Sequence, residues 1–278
     1  MTDRIKDLDK KRLLTQGMKL LTLFILLSVA FLLYRNKTTL AAIVGGIALL
    51  CFALGYLPER REYKRLWEKG HMESAYALYL DAPTLERKPA FTGAAFRALQ
   101  LFPCADMGKG FLLRNRVSGR HNGLPVSLTD VTCPVSGANG KLRFLVGCLM
   151  DVELAAPAPW RLRCAGSAIM SQEAYSAYYT GECGLEAVPH EESGMPQGTA
   201  LYMAEGPLPE AVSASVKALM DKCGGNAVLS LEGNVLRVFI QHRFSLLRTP
   251  EERITQEKLT VPAVPELPEV LAVGACIN

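Results

Sequence analysis

Two long apolar runs near the N-terminus dominate the hydropathy pattern of this chain. Residues 18–34 carry one charge, Lys19, and residues 40–57 carry none. Each run is close to the length of about 17 to 25 residues that crosses a bilayer as a helix. Because the segment RNKTT alone separates them, we predict a two-helix transmembrane hairpin over residues 18–57.

An amphipathic helical pattern follows the hairpin. In residues 58–88 it places Tyr63, Leu66 and Trp67 on one face, and basic residues surround its start. A helix with aromatic residues on one side and bases on the other can lie on the membrane or dock on a soluble domain. The sequence therefore predicts a juxtamembrane helix and leaves both placements open.

From residue 111 onward the apolar period changes from that of a helix to that of a strand. Two hairpins are predicted, one around Asn122-Gly123 and one around Gly233-Asn234, with further strands at 141–154, 160–170 and 197–205. Helices are predicted at 94–101, at 171–182 behind Ser171, and after residue 207. This order predicts an α+β soluble domain over residues 89–248, a mainly antiparallel sheet covered on one face by helices.

The last thirty residues, 249–278, are rich in proline. Pro262, Pro265 and Pro268 are three apart, which matches the turn of a polyproline II helix. We predict a last helical turn in residues 251–258 and, after it, an extended Pro-rich tail that packs on the domain or lies in solvent; a peptide that docks on an adaptor is the alternative.

The flanking charges predict the orientation of the hairpin. Basic residues are dense before the first run and after the second, whereas the turn holds only Arg35 and Lys37. Lys and Arg are retained on the cytoplasmic side, so residues 1–17 form a cytoplasmic basic tail and the C-terminus is also cytoplasmic. The net charge of +4 follows from this topology and does not indicate nucleic acid, for which interleaved exposed aromatic residues are missing.

Small residues in the second apolar run suggest close helix packing. Ala41 with Gly45, and Ala42 with Gly46, are four residues apart. This spacing lets another helix approach closely. The first run is the expected partner, and association of two copies of the chain is the alternative.

No motif in the sequence assembles a recognisable catalytic, metal or cofactor site. The four histidines are scattered, and the eight cysteines contain no C-x-x-C pair, so we predict no metal and no cofactor. Seven cysteines lie outside the apolar runs, and an odd number cannot all pair. Free thiols in a reducing compartment are the simpler interpretation.

The most unusual predicted surface is basic. Its members lie on three predicted strands and in the first predicted hairpin turn: Arg114, Arg116, Arg120, Lys141, Arg143, Arg161 and Arg163. Because Arg114 and Arg116 alternate along one strand, we expect them on one face. If the strands are neighbours, the patch can bind an anionic lipid, a nucleotide or an acidic partner. A solvated outer face of the sheet is the alternative.

The order of these parts resembles a bacterial family of two-helix membrane proteins known as domain of unknown function 3137. The likeness is carried by the basic leader and the hairpin, and by a set of glycine and core positions: Gly119, Gly123, Val126, Leu128, Asp130, Val131, Leu142, Phe144, Gly147, Leu208, Pro209, Leu219, Gly224, Gly225, Leu229, Ser230, Asn234, Leu236 and Val238. The resemblance implies the architecture and a location in the inner membrane. It transfers no catalytic residue.

Two functional hypotheses follow. The one we favour is a non-enzymatic membrane-anchored protein whose cytoplasmic domain binds a protein, a lipid headgroup or a small ligand. The alternative is a membrane-tethered hydrolase or transferase acting on a lipid-linked or phosphorylated substrate, with a site that gathers His121, Asp106, Asp130 or a cysteine. The lipid bilayer is the expected partner in both, and the chain can also associate with a protein or with itself.

Overall fold

The computed structural model describes residues 2–105, 110–136, 142–204, 206–243 and 245–278. The chain divides into two compact units. The helical unit comprises Met1–Ala75 and Thr249–Val261, and the sheet unit comprises Tyr76–Arg248 and Pro262–Asn278.

The helices of the described residues are, in chain order, α1 Thr2–Tyr34, α2 Thr38–Leu50, α3 Leu57–Ser74, α4 Gly93–Ala98, α5 Gln172–Gly181, α6 His190–Ser193, α7 Glu210–Cys223, α8 Gln256–Thr260 and α9 Leu267–Ile277. The strands are β1 Asp81–Glu86, β2 Leu112–His121, β3 Leu124–Ser136, β4 Leu142–Glu153, β5 Leu162–Gly166, β6 Glu186–Val188, β7 Thr199–Met203, β8 Ala227–Glu232 and β9 Val235–Gln241.

The helical unit contains the two apolar runs. A π-helical segment, Cys51–Tyr56, joins α2 to α3. The second apolar run therefore continues into α3 without a break in the helix. Both Asp3–Tyr34 and Thr38–Leu78 are long and apolar enough to cross a membrane. Large apolar side chains point outward, with Phe24 70% and Leu54 75% exposed. An apolar surface of this extent suggests association with a membrane.

Small residues of α2 pack against α1, as predicted. Ala41 and Ala48 are each only 2% exposed. A Cβ added at Gly45 would lie 4.0 Å from Val29 Cγ2 of α1, whereas one at Gly46 would meet nothing within 4 Å. One small-residue face thus serves the hairpin and the neighbouring face stays open.

The helical turn predicted in residues 251–258 is present as α8, and the segment that contains it packs on α1 and α3. Ile254 and Leu259 are buried in one cluster with Leu8, Tyr63 and Trp67. Polar contacts fix the same segment: the Arg12 guanidinium donates to Glu251 O at 3.1 Å, and Asp9 Oδ1 accepts from Ile254 N at 3.1 Å. The hydrogen bond from Arg12 is the main reason why the pKa of Asp9 is lowered.

The predicted helix over residues 58–88 is too long. α3 ends at Ser74, a short 3₁₀ turn covers Tyr76–Leu78, and Asp81–Glu86 forms β1. Pro83 explains the change, because proline breaks a helix interior but is tolerated on an edge strand such as β1.

The sheet unit is built on one sheet with the order β1-β2-β3-β4-β9-β8-β5-β7-β6. Every neighbouring pair in it is antiparallel, which confirms the α+β prediction. Both predicted hairpin turns have two residues. Asn122 and Gly123 take φ values of 50° and 82°, as a type I′ turn requires.

Helices cover both faces of this sheet, although the sequence predicted one covered face. On the first face, Phe96 of α4 and Tyr175 and Tyr179 of α5 join a core with side chains of the central strands. On the second face, α9 lies so close that a Cβ at Gly274 would approach Val152 Cγ1 to 3.0 Å.

The extended tail was predicted wrongly because α9 begins in its proline-rich part. Pro268 occupies the first turn of α9, where a missing N–H costs nothing. The residues that α9 buries are Leu267, Val270, Leu271, Val273 and Gly274, which mostly follow the helical spacing of three and four.

Candidate functional site

The predicted basic residues separate in the structure. Lys141 lies outside the described residues. Arg114 and Arg120 are exposed. Arg143 and Arg161 each donate to a backbone carbonyl, that of Ile169 and that of Cys183 respectively. Because these two guanidinium groups serve loops of their own domain, only Arg116 and Arg163 remain as candidates within a shared site.

A β-bulge places Arg114 and Arg116 on opposite faces, which corrects the expectation of a shared face. Arg114 pairs in register with Asp130 and Arg116 with Thr129, so Asn115 is an extra residue between them. Asn115 has φ 48°. Since adjacent residues of β3 point to opposite faces, their partners on β2 do so too.

Asp130 fixes this bulge and a neighbouring loop. Its carboxylate accepts hydrogen bonds from Asn115 Nδ2 at 2.8 Å, from Leu246 N at 2.9 Å and from Ser245 Oγ. Both oxygens of this carboxylate therefore already accept hydrogen bonds from the protein itself. Asp130 does not join His121, whose Nδ1 lies 2.7 Å from Tyr79 O, and Asp106 lies outside the described residues.

A row of polar side chains crosses six strands on the first face of the sheet, beside the core that α4 and α5 cover. We call it the polar row. Register pairing aligns its members from β3 through β4, β9 and β8 to β5, and Arg116 of β2 joins by a hydrogen bond to Ser127 Oγ at 3.2 Å. Its members are Arg116, Ser127, Asp151, Arg237, Ser230 and Arg163.

One end of the polar row is an ion pair between the buried Arg163 and the partly exposed Glu232. Arg163 is only 2% exposed. Its guanidinium donates to Glu232 Oε2 at 2.7 Å, to Gln100 O at 3.4 Å and to Leu162 O at 3.1 Å. A buried guanidinium with this many partners is satisfied, so Arg163 holds the loop at Gln100 in place.

The centre of the polar row is largely buried, and several of its polar atoms lack a hydrogen-bond partner among the described residues. Asp151 lies beside Arg237, with 3.7 Å between Asp151 Oδ1 and Arg237 Nε, longer than a hydrogen bond. Within the described part of the chain, Arg116 Nε, Asp151 Oδ1 and Ser230 Oγ are buried without a hydrogen-bond partner. Buried polar atoms are nearly always paired with the protein or with ordered water, so three such atoms in one row make it the candidate binding site.

The charges of this centre favour an anion. Two guanidinium groups, those of Arg116 and Arg237, face one carboxylate, that of Asp151. Burial raises the pKa of Asp151, and the two arginines only partly offset this effect. Glu86 and Glu153 at the margin are exposed, where water screens their charge. Once Asp151 is protonated, every side chain of the centre can donate a hydrogen bond to a carboxylate or a phosphate.

Sequence reasoning missed Arg237 and Asp151 as members of a site. The signal was present in the strand alternation, because Arg237 stands between the buried Leu236 and Val238 and must point to the other face. Nothing local to either strand shows that β9 pairs with β4, so the two side chains could not be joined from the sequence.

Two cavities of the sheet unit lie elsewhere. One of about 430 Å³ is bordered by β6, β7 and the start of α7, including Glu186 and Ser213. Another of about 340 Å³ is lined by His121 with apolar residues of α9 and β4, among them Leu271 and Val152. In the ranges that the structure describes, no group of three or more His, Cys, Asp or Glu residues could hold a metal ion.

No protein-family model matches this chain, and no curated protein matches it either. The resemblance to the two-helix membrane family therefore stays a prediction. Among solved structures, the chain is similar to the mycobacterial trehalose monomycolate transport factor A, TtfA, with 9% sequence identity and a TM-score of 0.37. The match covers 76% of this chain and 94% of that chain.

Proposed function

We propose that this chain is a non-enzymatic binding protein anchored in the bacterial inner membrane, whose sheet unit binds a carboxylate or phosphate group at the polar row. Both termini and the sheet unit lie in the cytoplasm, and α1 and α2 span the bilayer as a hairpin. The observation that carries the binding role is the set of buried, unpartnered polar atoms on Arg116, Asp151 and Ser230.

The anchor is supported by the exposed apolar surface of α1 and α2 and by the basic residues that flank them. The orientation is tested with fusions of a fluorescent protein and of alkaline phosphatase after Asn278. We expect fluorescence and no phosphatase activity. Phosphatase inserted at Asn36, in the turn between the helices, is the matched control and should be active. The reverse pattern contradicts the orientation.

The binding role is supported by what each guanidinium already does. Arg163 is saturated by Glu232 and backbone carbonyls. Among the described residues, Arg237 forms an ion pair with Asp151 alone, at 3.7 Å, and Arg116 uses one nitrogen on Ser127. The last two thus keep donors for a ligand, and charge-assisted bonds to a carboxylate or phosphate are stronger than bonds to neutral acceptors.

Titration of the full chain in a zwitterionic detergent with inorganic phosphate, and separately with succinate, tests this site. We expect Arg116→Gln and Arg237→Gln each to weaken binding of the preferred anion about tenfold, which corresponds to about 1.4 kcal/mol. Arg114→Gln is the matched control, because it removes the same charge from the same strand but on the opposite face. Equal affinities in all three variants, or no binding by the unmodified chain, would overturn the proposal.

A further inference from the structure

Two free thiols meet beside α4, far along β3 from the polar row. The sulfur of Cys133 on β3 lies 3.5 Å from the sulfur of Cys104, in the loop between α4 and β2. Cys133 is fully buried, whereas Cys104 is partly exposed. An oxidant can thus reach one sulfur of the pair, and the second is within contact of the first.

The backbone holds this pair together. Ala105 N donates to Pro134 O at 3.0 Å, so the residues that follow each cysteine are bonded to one another. Arg97 Nη2 of α4 donates to Ala105 O at 3.1 Å. Ala105, the residue after Cys104, is thereby bonded to both α4 and β3. A disulfide has an S–S length of about 2.05 Å, so the two sulfurs need to approach by about 1.5 Å, a distance that side-chain rotation covers.

The surroundings make Cys104 the reactive member. A hydrogen bond from Cys133 lowers the pKa of the Cys104 thiol, burial opposes this effect, and the Arg97 guanidinium lowers it further. The pKa of Cys133 is raised, chiefly by the same hydrogen bond and by burial. Since the thiolate is the nucleophile, attack begins at the accessible sulfur of Cys104.

We propose that Cys104 and Cys133 form a modification site for hydroperoxides, which oxidise the pair to an intramolecular disulfide. The Cys104 thiolate attacks one peroxide oxygen and the O–O bond breaks, which gives a sulfenic acid on Cys104 and, with hydrogen peroxide, hydroxide that takes up a proton. The Cys133 sulfur then attacks the Cys104 sulfur, its proton leaves with the departing hydroxyl as water, and the S–S bond forms. Two thiols lose two electrons in total, and one peroxide is reduced to two waters.

Other thiols of the sheet unit lack either exposure to solvent or contact with a second thiol. Cys148 and Cys164 are completely buried, and burial raises the pKa of each. Cys276 is exposed, but its sulfur contacts Ser215 Oγ at 3.1 Å and not another thiol. We therefore expect oxidation at Cys276 to stop at a sulfenic acid or a mixed disulfide, and Cys104 alone to form an internal bond.

The test treats the full chain, in detergent, with hydrogen peroxide at several concentrations. Remaining thiols are then alkylated in denaturant, and the peptides are identified by mass spectrometry. We expect two of the eight thiols to be lost together in a linked peptide that joins Cys104 to Cys133, and any further loss at the exposed Cys276 to give no internal linked peptide. A chain that loses thiols elsewhere while this peptide is missing would overturn the proposal.

Variants separate the two chemical steps. In Cys133→Ala the sulfenic acid on Cys104 should persist and react with dimedone, because no thiol resolves it. In Cys104→Ser the linked peptide should vanish while the chain remains folded, since this position is on a loop. Cys276→Ser is the control and should form the linked peptide at the wild-type rate. If Cys104→Ser forms a disulfide-linked peptide between two other cysteines in the same yield as wild type, the assignment is refuted. The inference does not depend on the polar row.

Discussion

His71 gives the sharpest prediction for the helical unit. It lies on α3, 3% exposed, and its ring stacks on that of Trp67 with centroids 5.2 Å apart and an interplanar angle of 15°. Burial lowers the pKa of His71 from 6.5 to about 4, and a hydrogen bond with the Leu259 backbone opposes this effect. The folded unit therefore holds His71 neutral, while the unfolded chain takes up a proton near pH 6.5.

The size and sign of the effect follow from these two pKa values. They differ by about 2.5, and at about 1.36 kcal/mol for each pH unit the full effect is about 3.4 kcal/mol. A group whose pKa is lowered by folding contributes stability above its unfolded pKa. The unit is thus fully stable above about pH 6.5 and loses stability as the pH falls towards 4. Between pH 7.5 and 5.0 the expected loss is about 2 kcal/mol.

Amide hydrogen exchange in Thr249–Val261 measures this loss, because that segment packs over α3. The protein is studied in zwitterionic detergent at pH 7.5 and 5.0, and rates are corrected for the intrinsic pH dependence of exchange. We expect the opening free energy of the wild type to fall by about 2 kcal/mol, whereas that of His71→Gln stays nearly constant. His190→Gln, at an exposed position on α6, should behave as wild type. An identical pH response in wild type and His71→Gln would refute the reasoning.

Four further outcomes are expected. Asp151→Asn should bind phosphate or succinate more tightly than wild type at neutral pH and should lose the rise in affinity that the wild type shows as the pH falls, both measurable by calorimetry. Asp130→Asn removes the charge that accepts three hydrogen bonds and should lower the unfolding free energy by about 3 kcal/mol in thermal or urea melts. Gly147→Ala forces a Cβ into the backbone of the neighbouring strand at the Ile240 carbonyl and should cost about 3 kcal/mol by the same assay. Gly46→Leu should keep the wild-type mass in light scattering, because that face of α2 meets nothing within 4 Å, and a smaller mass would show that copies associate there.

The sequence by itself determined the parts whose signal is local. The apolar runs define two membrane-length helices, Asn122-Gly123 and Gly233-Asn234 define the hairpin turns, and Ser171 caps the start of α5. Each depends on a property of a few consecutive residues, such as positive φ or a capping oxygen. The α+β class followed from the order of these local features.

Only the tertiary structure decided which distant residues meet. Asp151 and Arg237 share the polar row because β9 pairs with β4, and the bulge at Asn115 moves Arg116 to that face and Arg114 away from it. The docking of the α8 segment, the helix α9 and the Cys104–Cys133 contact could not be predicted from the sequence either. Strand order, register and docking are set by the burial of whole surfaces against one another, and the free energy of that burial depends on the complete fold and on no single stretch of sequence.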